Sequence, residues 1–101
     1  MTLEQVKSQD QAYILHTYGR VDAALVKGRN ARAWDVDGKE YIDFTAGIGV
    51  NCLGFCDDGW VKAVTTQLKK LQHVSNLFYS EPQVKAADLL TKKTGLKKVF
   101  F

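Results

Sequence analysis

The sequence has no long apolar run. No stretch approaches the roughly 20 residues that a helix needs to cross a bilayer, which excludes a membrane-spanning segment. It also lacks a basic-then-apolar leader: Met1 is followed by Thr2-Leu3-Glu4-Gln5-Val6-Lys7, polar and mixed in charge, so the chain reads as cytoplasmic. A dense basic stripe is missing too. Lys69-Lys70, Lys92-Lys93 and Lys97-Lys98 are separated pairs and the net charge is only +3, so no nucleic acid partner is expected. There are 2 cysteines, Cys52 and Cys56, with no second pair, and neither His16 nor His73 lies at a ligand-like spacing. No metal is expected, and the cysteines read as reduced, partly buried thiols. Gly47-Ile48-Gly49 lacks the third glycine and the following helix start of a dinucleotide fingerprint. No repeat or low-complexity stretch is visible.

What is present is ordinary globular composition: 101 residues, 46% apolar and 25% charged, enough for one small core. Thr2 and Gln5 have the spacing of a capping box, which predicts a helix to about residue 12. Leu3, Val6 and Tyr13 can share a face that Asp10 interrupts. Ala23-Ala24-Leu25-Val26 reads as a strand ended by Gly28 and Asn30. Two alternating runs, 31–36 and 39–44, flank Asp37-Gly38, which signals a hairpin closed by a type I′ turn with positive φ at both central residues. These runs predict a three-stranded antiparallel sheet. Gly47 and Gly49 suggest either a close approach of the backbone to another group or a plain linker leaving the sheet.

Two helices are predicted beyond. Asp57 or Asp58 can cap the first, with Val61, Val64, Leu68 and Leu71 on one stripe and Lys69 and Lys70 at its C-terminal end. Ser80 and Gln83 have the spacing of a second capping box, with Pro82 tolerated in the first turn. Val84, Ala86, Ala87, Leu89 and Leu90 supply the buried side, and Gly95 is placed to end the helix. Val99-Phe100-Phe101 reads as the start of a buried strand with no partner in the sequence, which argues for a fragment. The class is α+β: a helix, a three-stranded antiparallel sheet and two helices.

Several strings, in order and at matching spacings, resemble one family. Residues 15–20, 33–44, 46–54 and 73–79, with Glu81-Pro82-Gln83, are together similar to the N-terminal hundred residues of acetylornithine aminotransferases, class III pyridoxal-phosphate-dependent enzymes. One departure stands out. The family usually follows Leu-Gly with histidine, any residue, histidine and proline, where this chain reads Phe55-Cys56-Asp57-Asp58. Only the length is kept, although the aspartates preserve helix capping.

The resemblance implies a fold type I transferase: a large α/β domain, a small α+β domain and an active site shared across a homodimer. Residues 1–54 would be the N-terminal helix and small-domain sheet. Residues 55–101 would be a helical link leading into the first strand of the cofactor-binding domain. The phosphate loop, the aspartate facing the pyridine nitrogen, the Schiff-base lysine and the carboxylate-binding arginine are expected beyond residue 101. No catalytic or cofactor-binding residue is therefore expected here, and the fragment alone should be inactive and bind no pyridoxal phosphate. The full-length protein would hold that cofactor and move an amino group from N2-acetylornithine, or a similar ω-amino substrate, to 2-oxoglutarate.

The resemblance also nominates residues. Tyr18 matches an aromatic that lines the substrate pocket in related ornithine enzymes, though a structural role suits a tyrosine equally well. Ile48 stands where ornithine enzymes carry a tyrosine, and Gly47 beside it would let substrate or cofactor approach the backbone. Tyr18, Gly47 and Ile48 are thus candidate substrate-binding residues. Ser75 and Asn76 resemble an interface string that reaches the partner subunit's active site; the plainer reading is helix C-capping and turn chemistry. Within the class, 4-aminobutyrate, succinylornithine and ornithine aminotransferases are alternatives, with Ile48 arguing against the last. Outside it stands a non-catalytic α+β interaction module, which would have to bury Trp34, Phe44, Val61 and Val99-Phe100-Phe101 among its own elements.

Overall fold

A computed structural model describes residues 1–101, which fall into two compact units, Met1–Thr65 and Thr66–Phe101. The first unit opens with α1 (Leu3–Tyr13). Its capping box is formed: the Gln5 amide donates to Thr2 Oγ1 (3.2 Å), and the Thr2 amide donates to Gln5 Oε1 (2.9 Å). The face that is partly covered runs through Leu3, Val6 and Asp10, while Tyr13 is exposed. The cause is electrostatic. Asp10 accepts from His16 Nε2 (3.0 Å) and pairs with Arg20 (3.3 Å), and Lys7 pairs with Asp22 (2.9 Å), so the returning chain lies along Asp10 and away from Tyr13.

Strands β1 (Leu25–Arg29), β2 (Arg32–Asp35) and β3 (Glu40–Ile42) form the expected antiparallel sheet in sequence order. β1 starts later than Ala23, although Ala24 O still accepts from the Val36 amide (2.9 Å), and its register slips between Leu25 and Lys27. Nor does Gly28 end the strand. It pairs with Ala33 inside the sheet, and a Cβ there would stand 2.5 Å from Phe55 Cγ, so the glycine makes room for that ring. Paired positions share a face, so Phe55 covers the small-residue row that contains Ala33, the most buried residue at 2% exposure. On the other face Lys27 lies over the Trp34 ring, 5.0 Å from its centroid.

The hairpin forms at Asp37-Gly38, but its turn is not type I′. The Gly38 amide donates to Asp35 O (3.0 Å), the Asp35 amide donates to Lys39 O (3.1 Å), and only Gly38 has positive φ (82°). This is a turn over Asp35–Gly38 followed by a left-handed glycine, the three-residue hairpin loop. Asp35 decides the geometry. Its Oδ1 accepts from the amides of Asp37 (3.0 Å) and Lys39 (2.9 Å), and its Oδ2 from the Tyr41 hydroxyl (2.7 Å). The residue is 8% exposed, and these donors hold its carboxylate below its usual range, the Tyr41 hydroxyl most of all.

The chain then returns to β1. The Asn30 and Phe55 backbones exchange two hydrogen bonds (2.9 and 2.8 Å), and Arg29 forks onto both Asp58 oxygens (2.9 and 2.6 Å). Within this unit the strands pack on one another and beneath the Phe55 turn, and no helix packs on the sheet; of the two covers the pattern suggested for the hairpin, the Val61 stripe or structure beyond residue 101, the first is not found. Cys52 and Cys56 are exposed rather than partly buried, since Phe55 is the residue that faces the sheet.

Helix α2 (Asp58–Leu68) is capped by Asp57, whose Oδ1 accepts from the Trp60 amide (2.8 Å). Its stripe stops short of expectation. The Gln67 side chain donates to Leu71 O (2.9 Å) and the Lys70 amide to Gln67 O (3.0 Å), closing the helix at Leu68 and leaving Lys69, Lys70 and Leu71 beyond it. In the second unit α3 (Glu81–Thr94) starts at Ser80 and ends on Gly95 in the left-handed region (φ 75°). The second capping box is absent: Ser80 makes no side-chain cap, and Gln83 Nε2 donates instead to Asn76 Oδ1 (3.2 Å). The expected buried side of α3 is bare: Val84, Ala86, Leu89 and Leu90 are exposed and only Gln83, Ala87 and Thr91 are partly covered. Val99-Phe100-Phe101 forms no strand, because a ladder needs a neighbour that these residues do not find here.

Candidate substrate-binding turn

Leaving β3, the backbone does something rare. Ala46 (φ 48°), Gly47 (59°), Ile48 (60°) and Gly49 (85°) are all left-handed. The Ile48 amide donates to Thr45 O (2.9 Å), and the Asn51 amide to Ala46 O (2.8 Å). The result is one left-handed helical turn. Each L-residue in this region costs roughly 1–2 kcal/mol, and a β-branched residue such as Ile48 is an outlier there. Gly47 answers to a second constraint, since a Cβ on it would meet the Asn51 side-chain nitrogen, Nδ2, at 3.1 Å. The segment that leaves the sheet is therefore an ordered, strained turn.

Asp43 anchors it. Its Oδ1 accepts from the Thr45 amide (2.8 Å), the Thr45 hydroxyl (2.8 Å) and the Ala46 amide (3.0 Å). These donors, the Thr45 amide foremost, hold the carboxyl below its ordinary range against the opposing effect of burial. At the top of the turn the Ile48 side chain is 97% exposed, with Phe44 and Val50 also bare. Strain of this kind clusters at ligand-contacting segments.

Of the other sequence-nominated residues, Tyr18 lines a hollow of about 460 Å³ beside α1, with Val6, Asp10, His16 and Arg20. Gly47 and Ile48 are not among its walls, so the hollow does not join the three candidates. In the second unit Ser75 Oγ accepts from the Leu77 amide (3.3 Å), and Asn76 borders a groove of about 370 Å³ with Phe78, Val84, Val99 and Phe100. Neither caps a helix, since α2 has already ended at Leu68. Asp43 and Asp35 were not nominated from the sequence. The available signal was an aspartate one or two residues before a turn, where its carboxylate collects the following amides.

The family model for class III aminotransferases matches residues 13–101. The chain belongs to that family. It is similar to the acetylornithine aminotransferase of Haemophilus ducreyi, 52% identical over 101 residues, all of this chain and 26% of that protein. The acetylornithine aminotransferase of Methanosarcina mazei is 47% identical over 98 residues, 97% of this chain and 25% of that one. Among solved structures, the acetylornithine aminotransferase of Elizabethkingia anophelis superimposes with a TM-score of 0.91 at 26% identity, over 97% of this chain and 26% of its own. The ornithine aminotransferase of Plasmodium yoelii gives 0.92 at 26% identity, over the same shares. The chain thus spans about a quarter of the length of the relatives it matches.

Class III aminotransferases work with pyridoxal phosphate, whose aldehyde is held by a desolvated lysine amine. The residues present do not fit that group. Every lysine is exposed, and Lys7, Lys85 and Lys92 are engaged by carboxylates. No helix is long and apolar enough to cross a membrane.

Proposed function

We propose that the complete protein is a cytoplasmic aminotransferase that moves the terminal amino group of N2-acetylornithine, or a close ω-amino relative, to 2-oxoglutarate. Pyridoxal phosphate would be held by residues outside these 101. Residues 1–54 belong to its small domain, and residues 55–101 lead into its large one. Tyr18, Gly47 and Ile48 form part of the substrate wall. The observation that carries this reading is the exposed Ile48 on its strained turn. An isoleucine there offers an apolar wall, and it cannot hydrogen-bond a free α-amino group as a tyrosine would. The acetylated amine has no such group to satisfy.

The complete enzyme acts as a homodimer in which Ser75 and Asn76 meet the partner subunit. Support comes from Leu77, Phe78 and Tyr79, which follow them and are left bare. The non-catalytic module is disfavoured by its exposed apolar residues. Residues it would have to bury are bare, Phe44 in the first unit at 92% exposure and Phe100 in the second at 99%. Assay of the purified full-length enzyme with N2-acetylornithine, N2-succinylornithine, ornithine and 4-aminobutyrate tests the reading. N2-acetylornithine should give the highest kcat/KM; preference for ornithine would overturn the substrate assignment.

A further inference from the structure

Ile48 has almost no packing of its own. At 97% exposure no neighbouring side chain fixes it, so its place is set by the backbone that carries it. That backbone runs against the preference of L-residues at Ala46 and Ile48. The hydrogen bonds inside the turn, from Ile48 to Thr45 and from Asn51 to Ala46, shape it without tying it to the sheet. The tie is Asp43. Its amide donates to Ala31 O (2.8 Å) at the β1–β2 turn, and its Oδ1 gathers three donors from Thr45 and Ala46. A continuous path therefore runs from the sheet through the Asp43 backbone and carboxylate to the first two residues of the turn, and on to Ile48.

We propose that Asp43 is a positioning residue for substrate selection: its carboxylate locks the left-handed turn to the sheet and so sets where the Ile48 wall stands. The proposal rests on the reading of Ile48 as part of the substrate wall. Asp43 touches no substrate and acts only through the turn. Loss of its carboxylate releases Ala46 and Ile48 toward ordinary negative φ, and the wall moves or becomes mobile. Discrimination between an acetylated and a free α-amino group should suffer, since it depends on that wall, while the chemistry common to both substrates should change less.

The test uses the full-length holoenzyme and the kcat/KM ratio of N2-acetylornithine to ornithine, together with hydrogen exchange of the segment 44–51. Asp43→Ala should lower the ratio several-fold and speed exchange at residues 45–49. Asp43→Asn keeps an Oδ1 able to accept all three bonds and should restore the ratio. Asp43→Ala combined with Ala46→Gly should recover part of it, because glycine takes positive φ without the anchor. Thr45→Val removes one donor and should shift the ratio the same way by less. Ile48→Tyr is the control for the underlying reading. If Ile48→Tyr shifts the ratio and Asp43→Ala or Thr45→Val speeds exchange without shifting it, the positioning role falls and the Ile48 reading stands. If the ratio moves in none of these variants, the Ile48 reading itself falls.

Discussion

Two aspartates in this chain do the same local job to different ends. Asp35 collects two amides and a tyrosine hydroxyl; Asp43 collects two amides and a threonine hydroxyl. At Asp35 the turn requires one positive φ, and the residue there is glycine. At Asp43 the turn requires four in succession, two of them on Ala46 and Ile48. The first arrangement relieves the backbone and is covered, with Ala33 and Asp35 as the buried residues of the chain. The second strains the backbone and lifts an isoleucine into the open. A similar hydrogen-bonding device thus closes a hairpin in one place and holds an unfavourable shape in the other, and strain of the second kind is what supports the proposal that this turn meets a ligand.

Substitutions at the two turns should separate these roles, and the largest effect is expected at the hairpin. Gly38→Val places a β-branched residue at φ 82° and should destabilise the full-length protein by about 1–2 kcal/mol in a denaturant titration, with the substrate ratio unchanged. A smaller effect of opposite sign is expected at the strained turn. Ala46→Gly should stabilise by about 0.5 kcal/mol, the relief of left-handed strain outweighing the added freedom of the unfolded chain. A loss of stability there would mean that Ala46 is not strained.

The smallest effect is in pH dependence. Both aspartates are held below their ordinary values when folded, so each contributes stability that is fully present above the unfolded pKa of about 4. That contribution fades as pH falls from there through the folded values. The stability gap between wild type and Asp35→Asn, and between wild type and Asp43→Asn, should therefore shrink between pH 5 and pH 2, to the extent of the depression at each site. A gap that widened toward low pH would contradict the hydrogen-bonding scheme.

Local chemistry made much of this fold legible in advance. Thr2 and Gln5 announce the first helix, Asp37-Gly38 the hairpin and Gly95 the end of α3, because in each case the determining groups lie within a few residues of one another. What was missed depends on partners further off or on competition for a side chain. Ser80 and Gln83 have capping-box spacing, but Gln83 is taken by Asn76, seven residues away. Gly28 looks like a strand end until Phe55 arrives over it, and Arg29 finds Asp58 across 29 residues. The apolar sides of α3 and of Val99-Phe100-Phe101 are plain in the pattern, yet Val84, Leu89, Leu90, Phe100 and Phe101 are left exposed. At the candidate site, family likeness nominated Gly47 and Ile48 while the residue that holds them went unnoticed. Gly47 and Gly49 signalled an unusual backbone, but positive φ at Ala46 and Ile48 is against residue preference and no propensity argument would assign it.

The role proposed for Ile48 is to favour an acetylated over a free α-amino group. The direct measurement is kcat/KM for N2-acetylornithine and for ornithine, each with 2-oxoglutarate, in the full-length wild type and in Ile48→Tyr. One hydrogen bond gained to the free amine is worth about 1–1.5 kcal/mol, so the ratio should move toward ornithine by roughly tenfold. An unchanged ratio in a variant that folds and holds its cofactor would show that the turn presents Ile48 for some purpose other than choosing the substrate.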